Sequence, residues 1–205
     1  MNVFSGKSVL ITGGGGGIGK AAAKAFLEEG GEVCIVGRTQ SKLDTAAAEL
    51  GTIGKVFTVR GDVSSEAGCK QIIEEAVQKM GKIDILVNSA GIYYEKPTKT
   101  FTEEEWDSIV DINLKGTFMM CKNIHPYLKE TKGCIINVSS TAAEMGFAGA
   151  AAYCATKAGI NIVTKSLAME YAEDQIRVNV VCPDMVDTDI LTKDFESSDF
   201  KTREE

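Results

Sequence analysis

The chain has 205 residues, is 44% apolar and 25% charged, and carries a net charge of −7, a composition ordinary for a globular protein. The acidic balance argues against nucleic acid and anionic membrane as main partners, since both need clustered Lys and Arg. No apolar run reaches the about 18 residues of a membrane span, and residues 1–7 lack the basic start and apolar run of a signal peptide.

In chain order, short β-branched runs alternate with longer helical stretches. Strands are expected at 8–12, 32–36, 56–60, 83–87, 134–138 and 177–182, and helices at 18–29, 42–50, 67–80, 104–129 and 153–171. Near-continuous Val/Ile/Leu marks strands buried on both faces, and strands separated by helices of ten or more residues imply parallel βαβ units. The fold class expected is therefore α/β, a doubly wound parallel sheet with right-handed crossovers. Ser41 can cap the second helix, Thr102 with Glu105 forms a capping box, and Gly30-Gly31, Gly51 and Gly81 stand where helices should end. From 193 to 205 the sequence is polar and charged and reads as a tail beyond a single domain of residues 1–192.

Between the first strand and the first helix runs Thr12-Gly13-Gly14-Gly15-Gly16-Gly17-Ile18-Gly19. Glycines there let backbone approach a phosphate, and the helix N-terminus offers free N–H groups and partial positive charge. Gly14, Gly16 and Gly19 fit G-x-G-x-x-G, while Gly13, Gly17 and Gly19 fit T-G-x-x-x-G-x-G. Both registers predict a dinucleotide. After the second strand an NAD site usually places an acid for the ribose 2′-hydroxyl. This chain has Gly37-Arg38-Thr39, and an arginine suits a 2′-phosphate, so NADP(H) is favoured over NAD(H). Asp62, after the third strand, serves either the adenine or a turn cap.

Tyr153 and Lys157 stand at i and i+4 at the start of a helix and share one face. A phenol titrates near about 10, and a neighbouring ammonium favours its ionised form. Ser139 and Ser140 lie at the carboxyl end of the fifth strand, where doubly wound sheets bind ligands.

Taken together, Thr12–Gly19, Asn88-Ser89-Ala90-Gly91, Asn113, the Ser-Ser pair and Tyr153-x-x-x-Lys157 resemble the short-chain dehydrogenase/reductase family from about residue 5 to residue 188. The resemblance implies a Rossmann-type sheet of order 3-2-1-4-5-6, with residues 193–205 as the start of a substrate lid and a seventh strand expected beyond this sequence. It implies Tyr153 as acid/base, Lys157 on the nicotinamide ribose, Asn113 holding a relay water, and Ser140, thirteen positions before the tyrosine, orienting the carbonyl. Cofactor contacts implied are Thr12, Gly13, Gly15, Gly16, Gly17, Ile18, Gly19, Arg38, Asp62, Val63, Asn88, Ala90, Gly91, Tyr153, Lys157, Pro183, Val186 and Thr188. The expected protein is a cytoplasmic NADP(H)-dependent oxidoreductase of a small carbonyl or alcohol substrate, working as a homo-oligomer, dimer or tetramer. Two departures stand out: Ser89 replaces the family's second Asn, and Asp184 follows Pro183 where the family commonly has Gly.

Other classes fit less well. A non-catalytic dinucleotide-binding or interaction protein would not need Asn113, Ser140, Tyr153 and Lys157 together. A serine hydrolase lacks a G-x-S-x-G elbow and a base, His125 being the only histidine. Six cysteines without a C-x-x-C pair read as reduced thiols and not as metal ligands. Asp184, Asp187 and Asp189 read as a solvated acidic loop, His125 as structural, and Trp106 as a core anchor or interface contact.

Overall fold

The computed structural model describes residues 2–186 and 188; the 193–205 tail lies outside the described residues. Six strands, β1 (Ser8–Thr12), β2 (Glu32–Gly37), β3 (Val56–Arg60), β4 (Ile85–Asn88), β5 (Cys134–Val138) and β6 (Arg177–Val181), form one sheet in the order β3-β2-β1-β4-β5-β6. All five pairings are parallel. The order reverses between β1 and β4, which opens a crevice at their carboxyl ends. The helices are α1 (Gly17–Glu28), α2 (Gln40–Leu50), α3 (Glu66–Met80), α4 (Glu103–Ile109), α5 (Gly116–Thr131) and α6 (Ala151–Glu170).

Side chains alternate across the sheet. Val9, Ile11, Val33 and Ile35 pack beneath α1 and α2 with Phe26, Leu27, Leu43 and Leu50. Leu10, Cys34, Leu86 and Ile135 face the opposite layer with Ile72, Ile73, Met120 and Ile124 of α3 and α5. Every residue of β1 is buried, as a strand covered on both faces requires. The amino ends are fastened by the buried Asp84, which accepts from Ser8 N at 3.0 Å and pairs with Lys7 at 3.0 Å and Lys82 at 2.9 Å.

Most sequence-derived boundaries hold within two residues, and three differences are instructive. The expected helix 104–129 is interrupted by a π-helical segment, Val110–Lys115. That wider turn lets Asn113 face inward, 0% exposed, instead of continuing the α-helical rotation. The second helix starts at Gln40 after Thr39, so Ser41 lies inside it and does not cap it. Trp106 is 46% exposed on α4 and is not a core anchor. The capping box forms as read, with Glu105 N donating to Thr102 Oγ1 at 3.2 Å and Thr102 N to Glu105 Oε2 at 2.8 Å. Gly81 ends α3 in the left-handed region at φ 80°, whereas Gly51 keeps right-handed helical angles. His125 hydrogen-bonds Asp174 at 2.8 Å and stacks on Tyr171, a structural role.

Candidate active site

The glycine turn is shaped by its neighbours. Gly13, at φ +70°, runs so close to the loop after β4 that a Cβ would sit 2.8 Å from Ser89 O. A Cβ on Gly14 would strike Ile35, and one on Gly19 would strike the Gly13 carbonyl. These three glycines are required by packing. Gly16 is different: a Cβ there would meet nothing within 4 Å. It precedes α1 in an extended conformation and no side chain caps the helix. The first amides of α1 therefore have no side-chain cap, an arrangement suited to phosphate oxygens.

Several implied cofactor residues act through the scaffold. Thr12 Oγ1 accepts from Ser89 N and Ala90 N, each at 3.1 Å, holding the β4 loop against the turn. Asn88 is buried and donates to Asn137 Oδ1 at 2.9 Å and Cys121 Sγ at 3.3 Å, while its own Oδ1 is buried without a partner among the described residues. Val63 packs in the core. Gly91 approaches Asn113, whose Oδ1 would lie 3.3 Å from a Cβ there. Ile18 is half-buried at the start of α1. Thr188 lies against Gly17, within 3.2 Å of a Cβ built there, so the loop after β6 reaches the glycine turn. Arg38 is exposed beside Asp62, whose Oδ1 accepts from Ser64 N at 2.9 Å as a turn cap. Both line a groove of about 380 Å³ at the carboxyl ends of β2 and β3.

The other cluster centres on α6. Lys157 is only 6% exposed and donates to Val138 O at 2.9 Å. Its Nζ lies over the Tyr153 ring, 5.4 Å from the centroid. Ser139 Oγ donates to Lys157 O at 3.0 Å, pinning the helix to the end of β5. Ser140 Oγ accepts from Ala142 N at 3.1 Å, which leaves its own proton to donate, and it lies near enough to the Tyr153 side chain to favour the ionised phenol. Tyr93 meets Tyr153 edge to face, with centroids 4.9 Å apart at 88°.

Asn113 clips the loop after β4 to this cluster. Its Oδ1 accepts from Ile92 N at 2.8 Å, and its Nδ2 donates to Ile92 O at 2.9 Å and Thr156 Oγ1 at 3.3 Å. Thr156 in turn donates to Tyr153 O at 2.7 Å. Thr156 and Ser139 are neighbours of this cluster to which the sequence reading gave no role. Thr156 and Ser139 each adjoin an assigned residue, and a buried polar neighbour of a catalytic residue must find a partner; that was the available signal.

Electrostatics qualify one expectation. Burial pushes the Tyr153 phenol up from its ordinary value, with the Ser140 hydroxyl acting the other way. Burial also draws the Lys157 ammonium down to about 8. Desolvation thus outweighs the lysine's expected lowering of the phenol in the chain alone. Burial keeps the thiols of Cys34 and Cys121 inert, raised to about 12.

On the loop after β6, Thr141 N donates to Pro183 O at 3.0 Å and Thr141 Oγ1 to Asp184 Oδ1 at 3.2 Å. The carboxylate at the departure from the family pattern therefore joins the two loops that flank Ser140. Pro183 is half-buried, and Val186 is exposed. Asp187 and Asp189 lie outside the described residues. Among the described residues no group of His, Cys, Asp and Glu could hold a metal ion, and no helix is long and apolar enough to cross a membrane.

The family model described as short chain dehydrogenase matches residues 7–199. The 3-oxoacyl-(acyl-carrier-protein) reductase FabG of Chlamydia pneumoniae is 41% identical over 189 residues, 91% of this chain and 76% of that protein. The meso-2,3-butanediol dehydrogenase of Serratia marcescens is 35% identical over 187 residues, 91% of this chain and 74% of that protein. Among solved structures, levodione reductase superposes with a TM-score of 0.90 at 31% identity, covering 94% of this chain and 77% of that one. A dehydrogenase/reductase from Sinorhizobium meliloti gives 0.88 at 32% identity, covering 92% and 76%. With sequence and sheet order agreeing along the same stretch, this chain belongs to the short-chain dehydrogenase/reductase family of oxidoreductases.

Proposed function

We propose that this chain interconverts a small-molecule carbonyl and a secondary alcohol using NADP(H), with Tyr153 giving and taking the proton. The observation that carries the reading is the convergence of Lys157, Tyr153 and Ser140 at the carboxyl end of β5, the lysine over the tyrosine ring and bonded to Val138 O, with Ser140 two residues beyond that carbonyl.

The residues fit a nicotinamide dinucleotide. The open amides before α1 suit its pyrophosphate, Arg38 its 2′-phosphate, and the loop of Pro183, Val186 and Thr188 its carboxamide end. When bound, the nicotinamide supplies or accepts the hydride. Ser140 and Tyr153 hold the substrate oxygen between two hydroxyl donors. Tyr153, kept neutral by burial, donates its proton to that oxygen in the reductive direction. Lys157 holds the ribose and compensates charge left on the phenolate. The amide of Asn113 is committed to Ile92 and Thr156, so the relay water implied for this residue falls to its backbone carbonyl, to which Thr117 Oγ1 also donates at 2.7 Å.

A cytoplasmic setting accords with six free cysteines. A homo-oligomer accords with the exposed Phe118, Ile162 and Met169 on α5 and α6. The test is NADPH and NADH oxidation against a panel of ketones. NADPH-dependent reduction of at least one ketone is expected, and the Arg38→Asp variant should weaken NADPH far more than NADH. A protein that binds NADPH but reduces no carbonyl would instead be a dinucleotide-binding module.

A further inference from the structure

Arg60 is the last residue of β3, and the β2–β3 ladder pairs it with Gly37, the residue just before Arg38. Arg38 follows this pair by one position, and both arginines border one groove at the carboxyl ends of the two strands. Arg60 Nε donates to Arg38 O at 3.2 Å, which aligns the guanidinium along the Arg38 backbone and leaves its terminal nitrogens for another acceptor. Both side chains line the 380 Å³ groove with Gly61, Asp62 and Gln71.

Among the described residues neither Arg38 nor Arg60 is in an ion pair. The one carboxylate in the groove, Asp62, is tied to Ser64 N. Two like charges so placed in a chain of net charge −7 repel unless an anion lies between them. The glycine turn offers no cation of its own from Thr12 to Gly19. A phosphomonoester carries nearly two negative charges at neutral pH and has more acceptor oxygens than one fork can fill.

We infer that Arg60 is a second cofactor-selecting residue, clamping the 2′-phosphate of NADP(H) together with Arg38. The inference rests on the NADP(H) reading above. Its direct test is calorimetric binding of adenosine 2′,5′-bisphosphate and of ADP to the whole chain and to Arg38→Ala, Arg60→Ala, Arg60→Lys and the double variant, with NADPH kinetics alongside. Arg60→Ala should weaken the 2′,5′-bisphosphate about tenfold to a hundredfold, as expected for a charge-assisted contact, raise the KM for NADPH in the same direction, and leave ADP binding unchanged. Arg60→Lys should recover only part, because lysine lacks the fork. If Arg38→Ala loses the preference for the 2′-phosphate and Arg60→Ala keeps it, Arg60 is only a solvated cation and the NADP(H) reading stands. If the unaltered chain binds both ligands equally, the NADP(H) reading falls and the clamp with it.

Discussion

The two halves of the sheet build their parts of the crevice from different materials. In the β1–β3 half the turn into α1 offers backbone, shaped by glycines that exclude a Cβ at Gly13, Gly14 and Gly19 and leave open space at Gly16. In the β4–β6 half it is side chain, held by a buried polar network. Asn88 reaches Asn137, Asn137 reaches Thr164, Asn113 reaches Thr156, and Lys157 reaches the end of β5. A backbone site tolerates change around it but fails on one added carbon. A side-chain network weakens piece by piece, by an amount set by each partner left unsatisfied.

The contrast can be broken most forcefully at Lys157. Lys157→Met removes the ammonium from beside Tyr153 and should lower kcat by about two to four orders of magnitude, while the lost bond to Val138 O costs about 1–3 kcal/mol of stability. Retention of near-normal turnover would make the lysine a scaffold residue. Next is Gly13→Ala. At φ +70° and against Ser89 O, the methyl group should cost about 1–3 kcal/mol of strain, read as a tenfold to hundredfold weaker NADPH complex by fluorescence titration. Thr156→Val should be milder: loss of the bond to Tyr153 O and of the acceptor for Asn113 costs about 1–3 kcal/mol of stability in urea unfolding. An unchanged midpoint would show that the clip is redundant. The smallest effect concerns pH. Because the phenol of Tyr153 is raised, the tyrosinate absorbance lost in Tyr153→Phe should belong to a group titrating above about 10. Carbonyl reduction should then hold through neutral pH and fall on the alkaline side, while alcohol oxidation climbs in the same direction.

The same contrast explains what the sequence made legible. The β1 run Ser8–Thr12 is apolar enough to be read as a doubly covered strand, and a glycine cluster between a strand and a helix points to a phosphate turn. Tyr153 and Lys157 were visible through helical spacing. Other features depend on tertiary partners. The π turn at Val110–Lys115 lies in a stretch whose local preference is helical throughout, and only the pull of Ile92 on Asn113 accounts for it. Trp106 has the composition of an anchor and the exposure of a surface residue because α4 turns it outward. Arg60 resembles any cation at a strand end until strand register sets it beside Arg38.

The central claim is that the Tyr153 hydroxyl is the proton donor in a site that otherwise binds cofactor independently of it. The most direct measurement is single-turnover NADPH oxidation by Tyr153→Phe with a ketone the unaltered protein reduces, beside NADPH affinity for the same variant. Affinity within a few-fold of the unaltered protein and a rate lower by about two to four orders of magnitude are predicted. Reduction at a near-normal rate would contradict the account.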